Sequence, residues 1–136
     1  MNFPRKQSIR PSRRGAACVE LAVLAPFLVF MFVITIDYGR VFYYSVIVEN
    51  AGRKGAFYGC QDGNHAQDSA GIRAAALADA GDLSPAPTVT SSPGTDAQGN
   101  SILNVTVAFN MPTITNFPGI PTMVPLSRTV TVPVLP

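Results

Sequence analysis

The side chains able to do covalent or acid–base chemistry are few. The chain has one histidine, His65, and two cysteines, Cys18 and Cys60. That set cannot fill a tetrahedral zinc site, and His65 has no cysteine or carboxylate pattern beside it that suits a metal. No Ser-containing elbow, clustered carboxylates or Cys–His pairing supplies a nucleophile together with its base. Gly52-x-x-Gly55 lacks both the preceding strand and the Ser or Thr after Lys54 that a phosphate loop needs. The chain therefore reads as non-enzymatic, with no cofactor and no metal. What stands out is a carboxylate in apolar surroundings. Glu20 is the only charge in Ala16–Ile36, AACVELAVLAPFLVFMFVITI. At a bilayer centre such a group costs about 2.5–3.5 kcal/mol even on the lenient insertion scale. Glu20 lies only five residues past Gly15, where headgroups or Arg13 and Arg14 can relieve part of that cost.

The element that must hold Glu20 follows from composition. Hydrophobic residues make up 47% of the 136 positions and charged ones only 13%, against about 25% charged in soluble domains. The apolar run of 21 residues forms a helix of roughly 31 Å, the thickness of a bilayer's hydrocarbon core. A buried helix of a soluble domain would show a polar stripe, and Leu21–Ile36 has none beyond Thr35. The segment is expected to span a membrane. Residues 1–15 carry +5 and the rest of the chain −3, so the positive-inside rule leaves the leader in the cytoplasm and everything after Asp37 outside. The same span argues against reading the basic leader as a nucleic-acid arm. A cleaved secretory signal fits poorly, because its apolar core is usually ~7–15 residues. This run also ends in Ile36-Asp37-Tyr38-Gly39-Arg40, with no small-x-small site.

The leader enters the span through Arg13-Arg14-Gly15-Ala16-Ala17-Cys18-Val19-Glu20. This octet resembles the prepilin-peptidase site of type IV pilin-like proteins. Cleavage after Gly15 would create an N-terminal amine on Ala16, and Glu20 would offer it, or a neighbouring subunit's amine, a compensating charge. A low-dielectric helix bundle strengthens that attraction. Together with Pro26 in the apolar run, Ile36-Asp37-Tyr38-Gly39-Arg40-Val41-Phe42-Tyr43-Tyr44 and Asn50-Ala51-Gly52-Arg53-Lys54-Gly55-Ala56, the octet resembles the TadE-like family of tight-adherence (Flp-type) pilus pseudopilins. The likeness is densest over residues 13–58 and looser over 101–136. Cys18 departs from it, standing where a small apolar residue is usual, a place Cys tolerates well. The resemblance implies a bacterial single-pass inner-membrane protein with a periplasmic β-rich tail. It further implies processing by a prepilin peptidase and association with other pseudopilin or pilin subunits and the pilus assembly machinery.

Beyond the span, Asp37–Tyr58 has no Pro, and Val41, Tyr44, Ser45 and Val48 recur at helical spacing. One helix over 17–58 is expected, about 63 Å long. Pro26 should kink it, although membrane helices also simply tolerate Pro. Phe42, Tyr43 and Tyr44 stand where an aromatic belt marks the interface. Gly59 would cap the helix in the left-handed conformation. Alternatively, Gly52, Gly55 and Ala56 would let a strand or helix approach closely. Residues 61–67 read as a polar turn, and Asp68-Ser69 caps a second helix over 70–80 that stops at Gly81. Cys18 and Cys60 are separated by 42 mostly helical residues and cannot bridge within one chain.

The period then changes to two. Thr88–Thr90, Leu103–Phe109 and Leu126–Val134 predict three strands, most simply an antiparallel meander on the helix. A turn at 92–100 joins the first two. The connection 110–125 is long, proline-rich and apolar. Its Met111, Ile114, Phe117, Ile120 and Met123 either fold back over the sheet or form a partner surface, against another subunit or the membrane.

The expected organisation is a leader at 1–15, a span at 16–36, a helix continuation at 37–58 and an extracytoplasmic α+β domain at 59–136. The functional expectation is a non-enzymatic pseudopilin-like component of a tight-adherence pilus or related secretion apparatus, cut after Gly15. Its competitor is an unprocessed single-pass anchor presenting a small binding domain. Nucleic acid is not an expected partner.

Overall fold

A computed structural model describes residues 13–78, 80–114 and 121–135, with side chains from Gly15 onward. Its elements are helix α1 (Arg13–Gly59), α2 (Gly63–Gln67) and α3 (Ser69–Leu77), then strands β1 (Thr88–Thr95), β2 (Ser101–Pro112) and β3 (Met123–Pro133). The chain divides into two compact units, Met1–Thr35 and Ile36–Pro136.

The first unit is described from Arg13 as helix alone. Apolar side chains such as Val19, Val23, Phe27 and Phe32 are exposed all along it. Burial therefore does not explain its composition. A helix satisfies its own backbone groups, so such a surface suits a hydrocarbon surround. The one hydroxyl among the described residues of this unit, on Thr35, donates to the carbonyl of Met31 at 2.8 Å. Pro26 lies within the helix and removes one of its N–H donors.

In the second unit the three strands form an antiparallel sheet in the order β1-β2-β3. Thr88 stands opposite Ala108 and Thr95 opposite Ser101. On the other side, Ile102 faces Pro133 and Pro112 faces Met123. β2 is central, and its alternate residues Leu103, Val105, Val107, Phe109 and Met111 are all buried. They meet Val48, Ala51 and Ala56 of α1 and Ile72 of α3 in one core. Proline lies inside the two edge strands, at Pro93 of β1 and Pro125 of β3, and otherwise only at strand ends, at Pro112 of β2 and Pro133 of β3, places where a sheet tolerates a missing N–H.

The glycines of α1 set how closely helix and sheet meet. A Cβ on Gly52 would lie 3.1 Å from Val130, and one on Gly55 would lie 3.3 Å from Val105 and 3.2 Å from Ala76. At Gly59 it would overlap the Leu103 side chain. Gly59 is thus a close-approach residue rather than a left-handed cap. The only positive φ among the described residues is at Gly99, in the β1–β2 turn. Ordered along α1, the contacts pair Gly59 with Leu103, Gly55 with Val105, Gly52 with Val107 and Tyr44 with Phe109. From Gly59 back to Tyr44 the helix spans about 23 Å, and from Leu103 to Phe109 the strand rises about 20 Å. Strand and helix run side by side in opposite directions.

Several expected boundaries move. β2 extends to Pro112 and β3 begins at Met123, so the connection is residues 113–122 rather than 110–125. β1 continues to Thr95 through Pro93 and Gly94, and the turn shrinks to Asp96–Asn100. Asp96 closes that turn by accepting the amides of Gln98 (2.9 Å) and Asn100 (2.8 Å) and the Asn100 side chain (2.9 Å). Gly63–Gln67, expected as a turn, is the short helix α2.

Candidate functional site

The residues singled out for chemistry fall in separate places. Gly15 and Ala16 lie in the first turns of α1, both exposed, and a Cβ on Gly15 would meet nothing within 4 Å. Glu20 is exposed on the same helix, with no partner among the described residues. Beside it Val19, Val23 and Leu24 line a shallow groove of about 420 Å³. One acceptor on an apolar helix surface can pair with a cation brought to it from elsewhere.

The second cluster closes the helical corner after α1. Asp62 caps α2, accepting the amides of Asn64 and His65 at 2.8 Å each. Its other oxygen lies 2.8 Å from His65 Nδ1, so His65 is held by a carboxylate rather than merely solvated. Asp68 caps α3 through the Gly71 amide (2.9 Å) and accepts the Tyr58 hydroxyl (2.9 Å). The Tyr58 and His65 rings meet edge to face at 4.9 Å. The His65 amide, then its ring, holds the Asp62 carboxyl below the usual range. The Gly71 amide and the Tyr58 hydroxyl do the same for Asp68, and that bond raises the Tyr58 phenol. Both carboxylates are committed as caps, a structural use. No group of three metal-ligating side chains occurs among the described residues. Cys18 and Cys60 are both free thiols.

The third place is the β2–β3 connection. Met111 is fully buried, the last inward residue of β2, so it belongs to the core and not to a partner surface. The alternation that buries Leu103 carries it inward. Ile114 and Met123 are exposed at 62% and 54%. Phe117 and Ile120 lie outside the described residues. Sequence reasoning missed the residue that fixes this connection, Asp37. Its carboxylate is buried, accepts the Ile114 amide at 3.1 Å and pairs with Arg40 at 3.2 Å. A lone acid one residue past an apolar run was the available signal, but its partner lies 77 residues away. Thr113 continues the hairpin, its amide bonding Thr122 O and its hydroxyl Pro121 O, each at 3.0 Å. Tyr44, expected in the aromatic belt, instead packs on Phe109 with ring centroids 5.3 Å apart. Tyr38, Phe42 and Tyr43 remain exposed.

These features give, among the described residues, one helix long and apolar enough to cross a membrane and a small α+β domain in which Asp37, Asp62, Asp68 and Asp96 hold turns, caps and the hairpin. The family model of TadE-like proteins matches residues 15–56, the stretch from Gly15 through Glu20 and Asp37 to the glycines that seat the sheet. That family is a pilus-associated structural family, and the chain fits a membrane protein associated with the tight-adherence pilus. No curated protein and no solved structure matches the chain.

Proposed function

We propose that the protein is a pseudopilin-like structural subunit of a tight-adherence pilus or related secretion apparatus. In this reading a prepilin peptidase cuts it after Gly15 at the cytoplasmic face of the inner membrane, and the domain after Asp37 stands outside. The observation that carries the reading is Glu20, an exposed carboxylate with no partner among the described residues, on an otherwise apolar helix face five residues past an unhindered glycine. Such a charge is costly in lipid and gains most where a cation is brought to it. The Ala16 amine created by cleavage is that cation, on the same chain or on a neighbour packed alongside. Gly15 also suits a cut: glycine costs a helix about 1 kcal/mol relative to alanine, which eases local opening for a peptidase. The +5 leader supplies the orientation.

The test is the mature N-terminus. Mass spectrometry of the membrane-purified protein, with its peptidase present, is expected to find a chain beginning at Ala16, and Gly15→Val to abolish the cut. A mature chain that retains the leader would overturn the pseudopilin reading and favour a permanent anchor.

A further inference from the structure

An edge strand offers a partner whatever backbone groups its own sheet leaves unused. Beside β3, the Thr113 amide bonds Thr122 O at 3.0 Å and the Val134 amide bonds Ser101 O at 2.9 Å, and the register between them is unbroken. Bonded and non-bonded pairs alternate along an antiparallel ladder, so the even-numbered residues of β3 face β2 and the odd-numbered ones face out. The outward positions are Pro125, Ser127, Thr129, Thr131 and Pro133. The two prolines, with no N–H to offer, bracket three consecutive outward donors at Ser127, Thr129 and Thr131. Those three N–H groups have no partner among the described residues. The Ser127 carbonyl accepts the Arg128 guanidinium at 3.3 Å and keeps a second lone pair. The other edge is blunted. Next to β1 the Asp96 amide bonds Asn100 O at 3.0 Å, so Val89, Ser91, Pro93 and Thr95 face out there, and Pro93 breaks the row of donors.

A cavity of about 250 Å³ lies beside the β3 edge, lined by Arg128 together with Tyr38, Val41, Phe42, Val46 and Glu49 of α1. Arg128 stands opposite Val107 of the core, on the side of the sheet that α1 covers. A strand added antiparallel along β3 sets one residue opposite Arg128, with Cβ atoms about 4.5–5.5 Å apart and both side chains on that same side. Its side chain enters the cavity, whose walls are mainly aliphatic and aromatic, with Glu49 already paired to Arg53. The residues before and after it exchange backbone bonds with Ser127 and Thr129 and turn to the opposite face. There the Thr106 and Thr129 hydroxyls meet at 2.8 Å and Thr131 donates to Asn104 at 2.6 Å. In strand addition, backbone bonds supply affinity and a pocket for alternate side chains supplies specificity. The β3 strand of a second copy does not supply that side chain. Centred on Thr129, it would bring Val130 opposite Arg128, and Val130 is seated against Gly52 of its own helix.

We propose that the β3 edge receives an extended segment of a different protein chain, which adds antiparallel as a fourth strand. The segment carries a large apolar side chain opposite Arg128, and backbone N–H groups with small or hydroxyl side chains opposite Ser127, Thr129 and Thr131. Positions 126–132, between the two prolines, set its span. The proposal concerns the unit from Ile36 onward by itself and holds whether or not the leader is cut.

The test uses the full chain in lipid nanodiscs holding a single copy, with the peptide acetyl-Thr-Val-Thr-Leu-Thr-Val-Thr-amide as the probe. Hydrogen exchange during a peptide titration is expected to show new protection over residues 127–131 and none over 89–95. Replacing the central Leu of the probe by Ala should weaken binding about tenfold or more, because about three carbon groups leave the cavity. Thr129→Pro removes one outward N–H and no bond to β2, and Val46→Asp places a charge in the cavity wall. Each should weaken the Leu probe by about tenfold while central β2 keeps its native protection. Equal affinity of the Leu and Ala probes, binding that both variants leave unchanged, or no new protection at millimolar probe overturns the proposal. Protection over 127–131 that arises without peptide in discs holding two copies, and is absent from discs holding one, assigns the edge to a second copy and also overturns it.

Discussion

Asp37→Ala is the most informative single substitution. It removes one acceptor that serves both the Ile114 amide and the Arg40 guanidinium. Hydrogen bonds to a charged group contribute about 1.5–3 kcal/mol net. The carboxylate is buried but Ile114 is exposed, so water can rescue the freed amide and the global loss belongs in the lower half of that range. The Arg40 pair is partly exposed and adds at most about 1 kcal/mol. Local opening is a cleaner quantity than global melting. At about 1.4 kcal/mol per factor of ten, the same bond corresponds to roughly 10- to 150-fold faster exchange of the Ile114 amide. The assay is hydrogen exchange on the full chain in lipid nanodiscs, comparing the peptide that contains Ile114 with one from central β2. Asp37→Asn keeps an acceptor oxygen without the charge and should fall between wild type and Asp37→Ala. Unchanged protection at Ile114 in Asp37→Ala would refute the idea that this carboxylate holds the hairpin.

Other expectations concern packing, pH and assembly. Gly59→Ala pushes a methyl into Leu103 and Ile72. Overpacking costs about 1–3 kcal/mol, against about 1 kcal/mol regained in helix propensity, so denaturant titration should show a net loss of up to about 2 kcal/mol, and a gain in stability would refute the close approach. The Asp62, Asp68 and Asp96 carboxyls are all held below their ordinary value. Their contribution is therefore present above the unfolded carboxylate value near 3.9 and is lost as pH falls through the lower folded values. Melting temperatures should drop below about pH 4, and the drop should flatten in the Asp62→Asn, Asp68→Asn double variant. Glu20→Ala should reach the membrane at least as well as wild type, since the carboxylate opposes insertion. It should also co-purify less with its partner subunits, the loss bounded by the roughly 3–5 kcal/mol of a broken buried pair. Wild-type association at matched abundance would leave Glu20 without an assembly role.

What the sequence made legible was whatever repeats. The apolar run and the absence of Pro from 37 to 58 marked α1, and period-two alternation marked β2 and β3. The same alternation carries Met111 inward, but the prolines at 112, 118, 121 and 125 make 110–125 look like a loop, which leaves Met111 open between core and partner surface. Pro93 and Gly94 read as a turn because proline is excluded from central strands. β1 is an edge, where the exclusion does not apply. α2 is too short for a periodic signal, and its stability comes from the Asp62 cap rather than an apolar face. Of the proposed site, Gly15 and Glu20 can be singled out from local sequence, a glycine and a lone acid at the start of the apolar run. The Asp37–Ile114 bond was not, because only the finished antiparallel course of β2 along α1 brings those two residues together.

That course also decides how the domain bears a mechanical load. Sheet and helix meet through side chains ranged in order along both elements, from Gly59 and Leu103 to Tyr44 and Phe109. A force drawn along α1 while the sheet is held therefore shears the whole interface at once, instead of peeling one contact after another. Leu103, Val105 and Val107 seat against Gly59, Gly55 and Gly52 like teeth in shallow notches, and sliding the helix would drive each valine or leucine against a bulkier neighbour. The stripe of glycines, which looks like a weakness in a helix, thereby gives the junction its grip along the helix axis.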